Sequence, residues 1–378
     1  MDDALTQTKR RFAQELVRDR KLDFEPLAAD QWVVSSLLQK SIRRGETETA
    51  QRAAFTLFAQ KGSAIWRRFM VIAFEDTGAA SPDAVAMTVA ASTDPGWRKA
   101  SGGDLHIAVQ LARVLAEAPK SRSAEHLITS AQHHPSLAKA RMLRGAGSLT
   151  DHLDTVVDQK APLTERALAA WCASGIGWGT EKRSRGDLPV LLETFRSLGV
   201  PDELVTATSI AAQKTREPIT LMVPLIWLAA NCHSHPTITK SEVPVTKIVD
   251  DVPLYSLDKH TRLGREAIQR FASENDEVRG TLTQYVPAAR RNDVAYMAAS
   301  YADAAPLAIR LNWKGADALE AFGTETDLLR SGVQPEGFAP LLAALRNNLG
   351  QLNEVRARVF VQQRSAGTGS PPSILAAG

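Results

Sequence analysis

Cysteine is nearly absent from this 378-residue sequence. Cys172 and Cys232 are the only two, too few for a disulfide framework or a cysteine-built metal centre, and a chain with free thiols in a reducing compartment is expected. Aromatic residues reach only 6%, and with so much alanine and leucine the balance tips from sheets to helices. Charge of one sign is also missing. The net charge is +3, which permits a nucleic-acid partner without arguing for one. The longest apolar run, residues 219–231 (ITLMVPLIWLAAN), carries Pro224 and is short of the ~20 residues that a membrane helix needs. It reads as a buried helix or two buried elements, and no membrane partner is expected. The opening Met1-Asp2-Asp3-Ala4 has no apolar signal-peptide segment, which points to the cytoplasm.

Motifs for chemistry are missing too. No phosphate-binding G-x-x-x-x-G-K-[ST] loop occurs. The nearest run, Gly175-Ile176-Gly177-Trp178-Gly179-Thr180, lacks the lysine and a preceding apolar strand, and reads as a turn between helices. Cys232-His233-Ser234-His235 is the richest group of metal-binding residue types, and Cys172 would join it if two helices met. A helix end closed by Pro236 explains the same residues. Glu75 and Asp76 are adjacent, so on a helix they point apart and do not form an acid–base pair by spacing. No Ser/His/Asp or Cys/His arrangement stands out. The expectation is a protein that is not an enzyme and holds no cofactor.

Helical periodicity fills the chain, so the fold class is expected to be all-α. Leu5, Phe12, Leu16 and Val17 line one face of a basic amphipathic helix over 4–22. Its Lys9, Arg10 and Arg11 are candidates for phosphate contact, or simply a solvated face. A helix pair follows over 30–44 and 48–60, the first capped by Asp30 and closed by Arg43-Arg44-Gly45. A third helix over 63–75 has Ser63 as its cap, and Ser81-Pro82-Asp83 opens a fourth. The stretch 94–103 (DPGWRKASGG) reads as a loop. Trp97 there is a candidate for base stacking or for anchoring the loop, with Arg98 and Lys99 as charges beside it. Helices are expected over 104–117 and 121–132 and then in short segments to residue 232. Residues 241–248 read as extended, and helices resume over 261–273, 276–284, 291–300, 303–311, 314–320, 324–330 and 336–360. The Gly/Ser/Pro-rich tail after 363 reads as disordered.

Three stretches carry a family likeness. Ser36-Leu37-Leu38-Gln39-Lys40-Ser41-Ile42-Arg43 is similar to a helix beginning SALHKSIRG. Ile72-Ala73-Phe74-Glu75-Asp76-Thr77-Gly78-Ala79-Ala80-Ser81-Pro82, preceded by Arg67-Arg68, is similar to IASEDIGLADP with its paired arginines. Leu115-Ala116-Glu117-Ala118-Pro119-Lys120-Ser121 is similar to LALAPKS. Val252-Pro253-Leu254 with Thr261-Arg262-Leu263 is more weakly similar to VPLHLRNAPTRLM. In this order and spacing they resemble the C-terminal region of the replication-associated recombination protein A (RarA/MgsA) family, clamp-loader-related AAA+ ATPases. The resemblance implies a clamp-loader-collar-like helical domain that assembles tetramers, with DNA and replication proteins as partners. It makes Lys40, Arg43, Arg67, Arg68, Glu75, Asp76, Lys120 and Ser121 the candidates for contacts with a neighbouring chain. The family's ATPase core has no counterpart in residues 1–29, so ATP hydrolysis does not carry over, and residues 265–378 match nothing in the family.

The expected organisation is a basic helix within 1–29, a collar-like domain over 30–135, an inserted helical region over 136–250, a C-terminal helical region over 251–362, and the tail 363–378. The expected function is a non-catalytic accessory protein of DNA replication or recombination. It would oligomerise or dock on a replication ATPase. A helical interaction scaffold that binds no nucleic acid is the alternative.

Overall fold

A computed structural model describes residues 2–18, 23–177, 186–232 and 235–366. The fold is all-α: 76% of it is helical, with only a few short strands. No helix among the described residues is long and apolar enough to cross a membrane. The chain forms two compact units, neither continuous in sequence. The first unit takes Met1–Leu22, Trp66–Ser241 and Leu307–Asp327, and the second takes Asp23–Ile65, Glu242–Pro306 and Leu328–Gly378. This differs from the linear partition expected from sequence, because contacts far apart along the chain decide which segments share a core.

In the first unit, helices Pro82–Thr93, Ser123–His133, Leu163–Ser174, Asp202–Thr215 and Ile219–Cys232 pack on one another, and helix Asp2–Arg18 lies along Pro82–Thr93 and Asp202–Thr215. Phe12, Leu127, Trp171, Leu204 and Leu221 are all fully or almost fully buried there. The apolar run is one helix despite Pro224, which removes a single hydrogen-bond donor from a segment held by burial on most sides. In the second unit, helix Gln31–Arg43 pairs with Thr47–Lys61, and Arg262–Glu274 packs on Leu349–Ala366 and Arg291–Ala299. Its core includes Leu37, Leu38, Ile42, Phe271 and Leu352.

Local signals placed most helix ends well. Asp30 accepts from the Trp32 and Val33 amides, Ser81 accepts from Ala84 N–H, and Gly45 takes φ 67° after Arg44. Several expectations are corrected. Ser63 does not cap a helix but lies in the 3-10 turn Gly62–Ala64. The helix after it, Ile65–Ile72, runs into a π-helix, Ala73–Thr77. The supposed loop 94–103 contains the helix Pro95–Ala100, capped by Asp94. The segments 314–320 and 324–330 are one helix, Ala316–Ser331. The segment 336–360 is two helices, Phe338–Asn347 and Leu349–Ala366.

The largest miss is 303–311. A second π-helix, Ser300–Ala304, leads through Pro306 into the strand Ile309–Asn312. That strand pairs antiparallel with Thr237–Lys240, Thr237 facing Asn312 and Lys240 facing Ile309. Alanine and leucine favour a helix locally, but Pro306 and a partner strand some 70 residues earlier in the chain override that preference. The extended segment expected over 241–248 instead begins earlier, at 237, with a separate short pair of Ile248–Val249 and Val252–Pro253.

Candidate functional site

The family-like stretches meet in pairs, one pair inside each unit. In the second unit, Lys40 donates to Ser36 Oγ at 2.6 Å and to Asp258 Oδ2 at 2.5 Å across 218 residues of chain. Ser36 in turn donates to the Ser256 carbonyl at 2.7 Å. The Lys40 and Asp258 side chains are each only 3% exposed. Burial alone pushes the Asp258 carboxyl up, but the Lys40 and His260 charges and the hydrogen bonds from both outweigh it and hold the carboxyl at about 2. Helix Arg262–Glu274 then closes over the site: a Cβ on Gly264 would lie 2.1 Å from the Asp258 carbonyl oxygen, so only glycine fits. Beside it, Arg43 donates to the Ala304 carbonyl at 3.2 Å, and Arg356 forms a buried ion pair with Asp303, both 1% exposed. Arg44 lies over the Tyr255 ring at 4.5 Å, while the Tyr255 hydroxyl donates to Glu46. Burial and the Glu46 charge raise that phenol well above its ordinary range.

In the first unit, the Ser121 amide donates to the Asp76 carbonyl at 2.8 Å. Gly78, at φ 50°, lets the backbones approach: a Cβ there would sit 3.0 Å from the Ser121 carbonyl oxygen. Arg122 reaches the fully buried Asp76 carboxylate at 3.7 Å. The Lys120 ammonium donates to the carbonyls of Ala116 and Ala118, capping the end of helix Asp104–Glu117. Burial lowers its pKa to about 7, against the pull of Asp76 and Glu117. The Lys120 backbone is stitched to the strand Ile309–Asn312, its N–H to Ile309 and its carbonyl to Leu311.

Five of the eight residues expected to touch a neighbouring chain are therefore interior. Lys40, Arg43, Asp76, Lys120 and Ser121 are all buried and hold their own units together. Glu75 and Arg68 are half-buried. Arg67 stays exposed, 3.8 Å from Glu217, whose carboxyl is raised by burial and by Glu75 and lowered by Arg67.

Four of the six nucleic-acid candidates have partners within the first unit. Lys9 pairs with Asp94 at 2.6 Å, and Arg11 pairs with Asp83 and Glu203. Arg98 is buried, paired with Asp104 and stacked on Trp66 at 4.3 Å. Trp97 packs against Phe12 at 5.6 Å between ring centres, so it anchors its helix to the unit. Arg10 and Lys99 remain exposed.

Among the described residues no group of three His, Cys, Asp or Glu could hold a metal ion. Cys172 is buried, and Cys232 is exposed and bonded to Gln159. His233 lies outside the described residues, as do Trp178, Gly179 and Thr180 of the glycine run, whose Gly175 ends a helix at φ 70°. Residues that sequence reasoning passed over, Asp258, Asp303, Arg122 and Arg356, carry the interior ion pairs. Arg356 had a visible signal, since it sits among Leu352, Val355, Val359 and Phe360 on a helix face where Asn353 is the other buried polar residue nearby. No family model, curated protein or solved structure matches this chain.

Proposed function

We propose that this chain is a non-catalytic, cytoplasmic helical assembly module of a DNA replication or recombination complex, which joins copies of itself, as tetramers by family resemblance, or docks on a replication ATPase. The observation that carries this reading is that the family-like stretches meet in pairs: Ser36 and Lys40 bond to Ser256 and Asp258, between the two halves of the weaker likeness, and the Asp76 carbonyl and Gly78 meet the Ser121 backbone. Stretches that carry a family likeness and also pack against one another are what a conserved helical module would present. The interlocks therefore support a shared fold and leave the outer faces of the helices for assembly.

The pairing of Lys9, Arg11 and Arg98 with carboxylates favours a second reading, an interaction scaffold that binds no nucleic acid. Light scattering of the purified chain, alone and with single-stranded and forked DNA, separates the two. Assembly together with DNA binding that falls steeply with salt supports the first reading. Assembly without DNA affinity supports the second. A single chain that ignores both DNAs overturns the proposal.

A further inference from the structure

Among the described residues, no strand pairs with the outer edge of Thr237–Lys240 in the two-stranded sheet of the first unit. Thr237, Ile238, Thr239 and Lys240 are all exposed, and Ile238 is a large apolar side chain left 48% open to solvent. The hydrogen-bond pattern fixes which groups face outward. Ser241 N–H donates to the Ala308 carbonyl, so in the antiparallel register Thr239 and Thr237 also face inward, toward Arg310 and Asn312. The other side of the sheet agrees, since Ile309 and Leu311 turn their backbone groups to Lys120. The N–H and C=O groups of Ile238 and Lys240 therefore point away from the sheet. Two strands alone are a marginal unit in water, and an edge of β-branched residues is a template for one more.

We propose that this edge pairs antiparallel with the same edge of a second copy, building a four-stranded sheet across a twofold axis. The proposal rests on the assembly reading and names the contact. Its register follows from the outward groups: Ile238 of each copy exchanges two hydrogen bonds with Lys240 of the other, and Thr239 meets its own equivalent on the axis. This register also suits the side chains. The two Lys240 ammonium groups are never opposed, and each lysine stem lies across an Ile238 that would otherwise stay wet.

The test uses the full chain and light scattering. Thr239→Lys places like charges side by side on the axis and is expected to halve the mass of the assembly. Thr239→Glu does the same, and mixing the two variants restores it. Ile238→Pro removes an outward N–H while sparing the inward bonds and is expected to dissociate the assembly with unchanged helical circular dichroism. Thr239 is exposed but its hydroxyl accepts from Asn312 Nδ2 at 2.7 Å, so Thr239→Val, which loses that bond without adding charge, is the control and is expected to keep the assembled mass even if the proline variant misfolds. An assembled parent chain whose mass survives Thr239→Lys overturns the edge and leaves assembly standing. A parent chain that is single at every concentration overturns both. An edge that gains hydrogen-exchange protection only with a different protein has another occupant, and overturns the second copy.

Discussion

Each unit contains a helix that relaxes into a π-helix with aspartate at its fourth position: Asp76 in Ala73–Thr77 and Asp303 in Ser300–Ala304. Both carboxylates are buried, at 0% and 1% exposure. A π-turn widens the helix and leaves local backbone bonding irregular, and in both units an arginine from later in the chain comes to the acid. The units differ in how tightly. In the second, Arg356 and Asp303 form a close, almost solvent-free pair, and Lys40 and Asp258 form another buried pair in the same unit. In the first, Arg122 stands 3.7 Å from Asp76, and Lys120 gives its protons to backbone carbonyls instead. One backbone device thus carries a close Arg356–Asp303 pair in one unit, and in the other a longer Arg122–Asp76 approach beside the Ser121–Asp76 backbone bond.

Removing the arginines should break that comparison most sharply. Arg356→Ala strands the Asp303 carboxylate and is expected to cost about 3–5 kcal/mol. Arg122→Ala is expected to cost about 1–3 kcal/mol. Amide hydrogen exchange, read separately in the two π-turns, measures each loss in its own unit. Equal losses would show that the two turns are locked alike. Glycine substitutions come next. Gly264→Ala forces its helix off the Asp258 backbone, at about 3 kcal/mol. Gly78→Ala adds a side chain at positive φ and is expected to cost about 1–2 kcal/mol. Thermal unfolding of both variants checks the order.

The pH dependences oppose each other. The Asp258 carboxyl titrates at about 2 in the fold against an ordinary 3.8. Its contribution is whole above pH ~3.8 and is lost as pH falls toward 2, amounting to about 2 kcal/mol. Asp258→Asn should remove that acid limb from urea unfolding in the second unit. Lys120 runs the other way. Its folded value of about 7 lies below the ordinary 10.5, so between those values the unfolded chain binds the extra proton and stability rises with pH. Below pH ~7 the slope vanishes. Lys120→Met should flatten the rise in the first unit, and a slope that persists would assign it to another group.

Much of this fold was legible in the sequence because its signals are local. Asp30, Ser81 and Gly45 end helices through contacts within a few residues, and the apolar periodicity of residues such as Leu37, Leu38 and Ile42 marks a buried face. The interlocks were not legible in that way. Lys40 and Lys120 read as surface charges until Asp258 and the carbonyls of Ala116 and Ala118 are placed around them. The strand Ile309–Asn312 forms where Thr237–Lys240 lies on one side of it and the Lys120 backbone on the other. In the family-like stretches Lys40, Arg43, Asp76 and Lys120 turn inward and hold each unit, while Arg67 and Glu117 stay exposed.

The central claim is assembly. The most direct measurement is the mass of the purified full chain by light scattering over a wide concentration range, without DNA. The expected result is a mass at a whole-number multiple of one chain, reduced by Thr239→Lys. A mass that remains that of one chain at every concentration would contradict it.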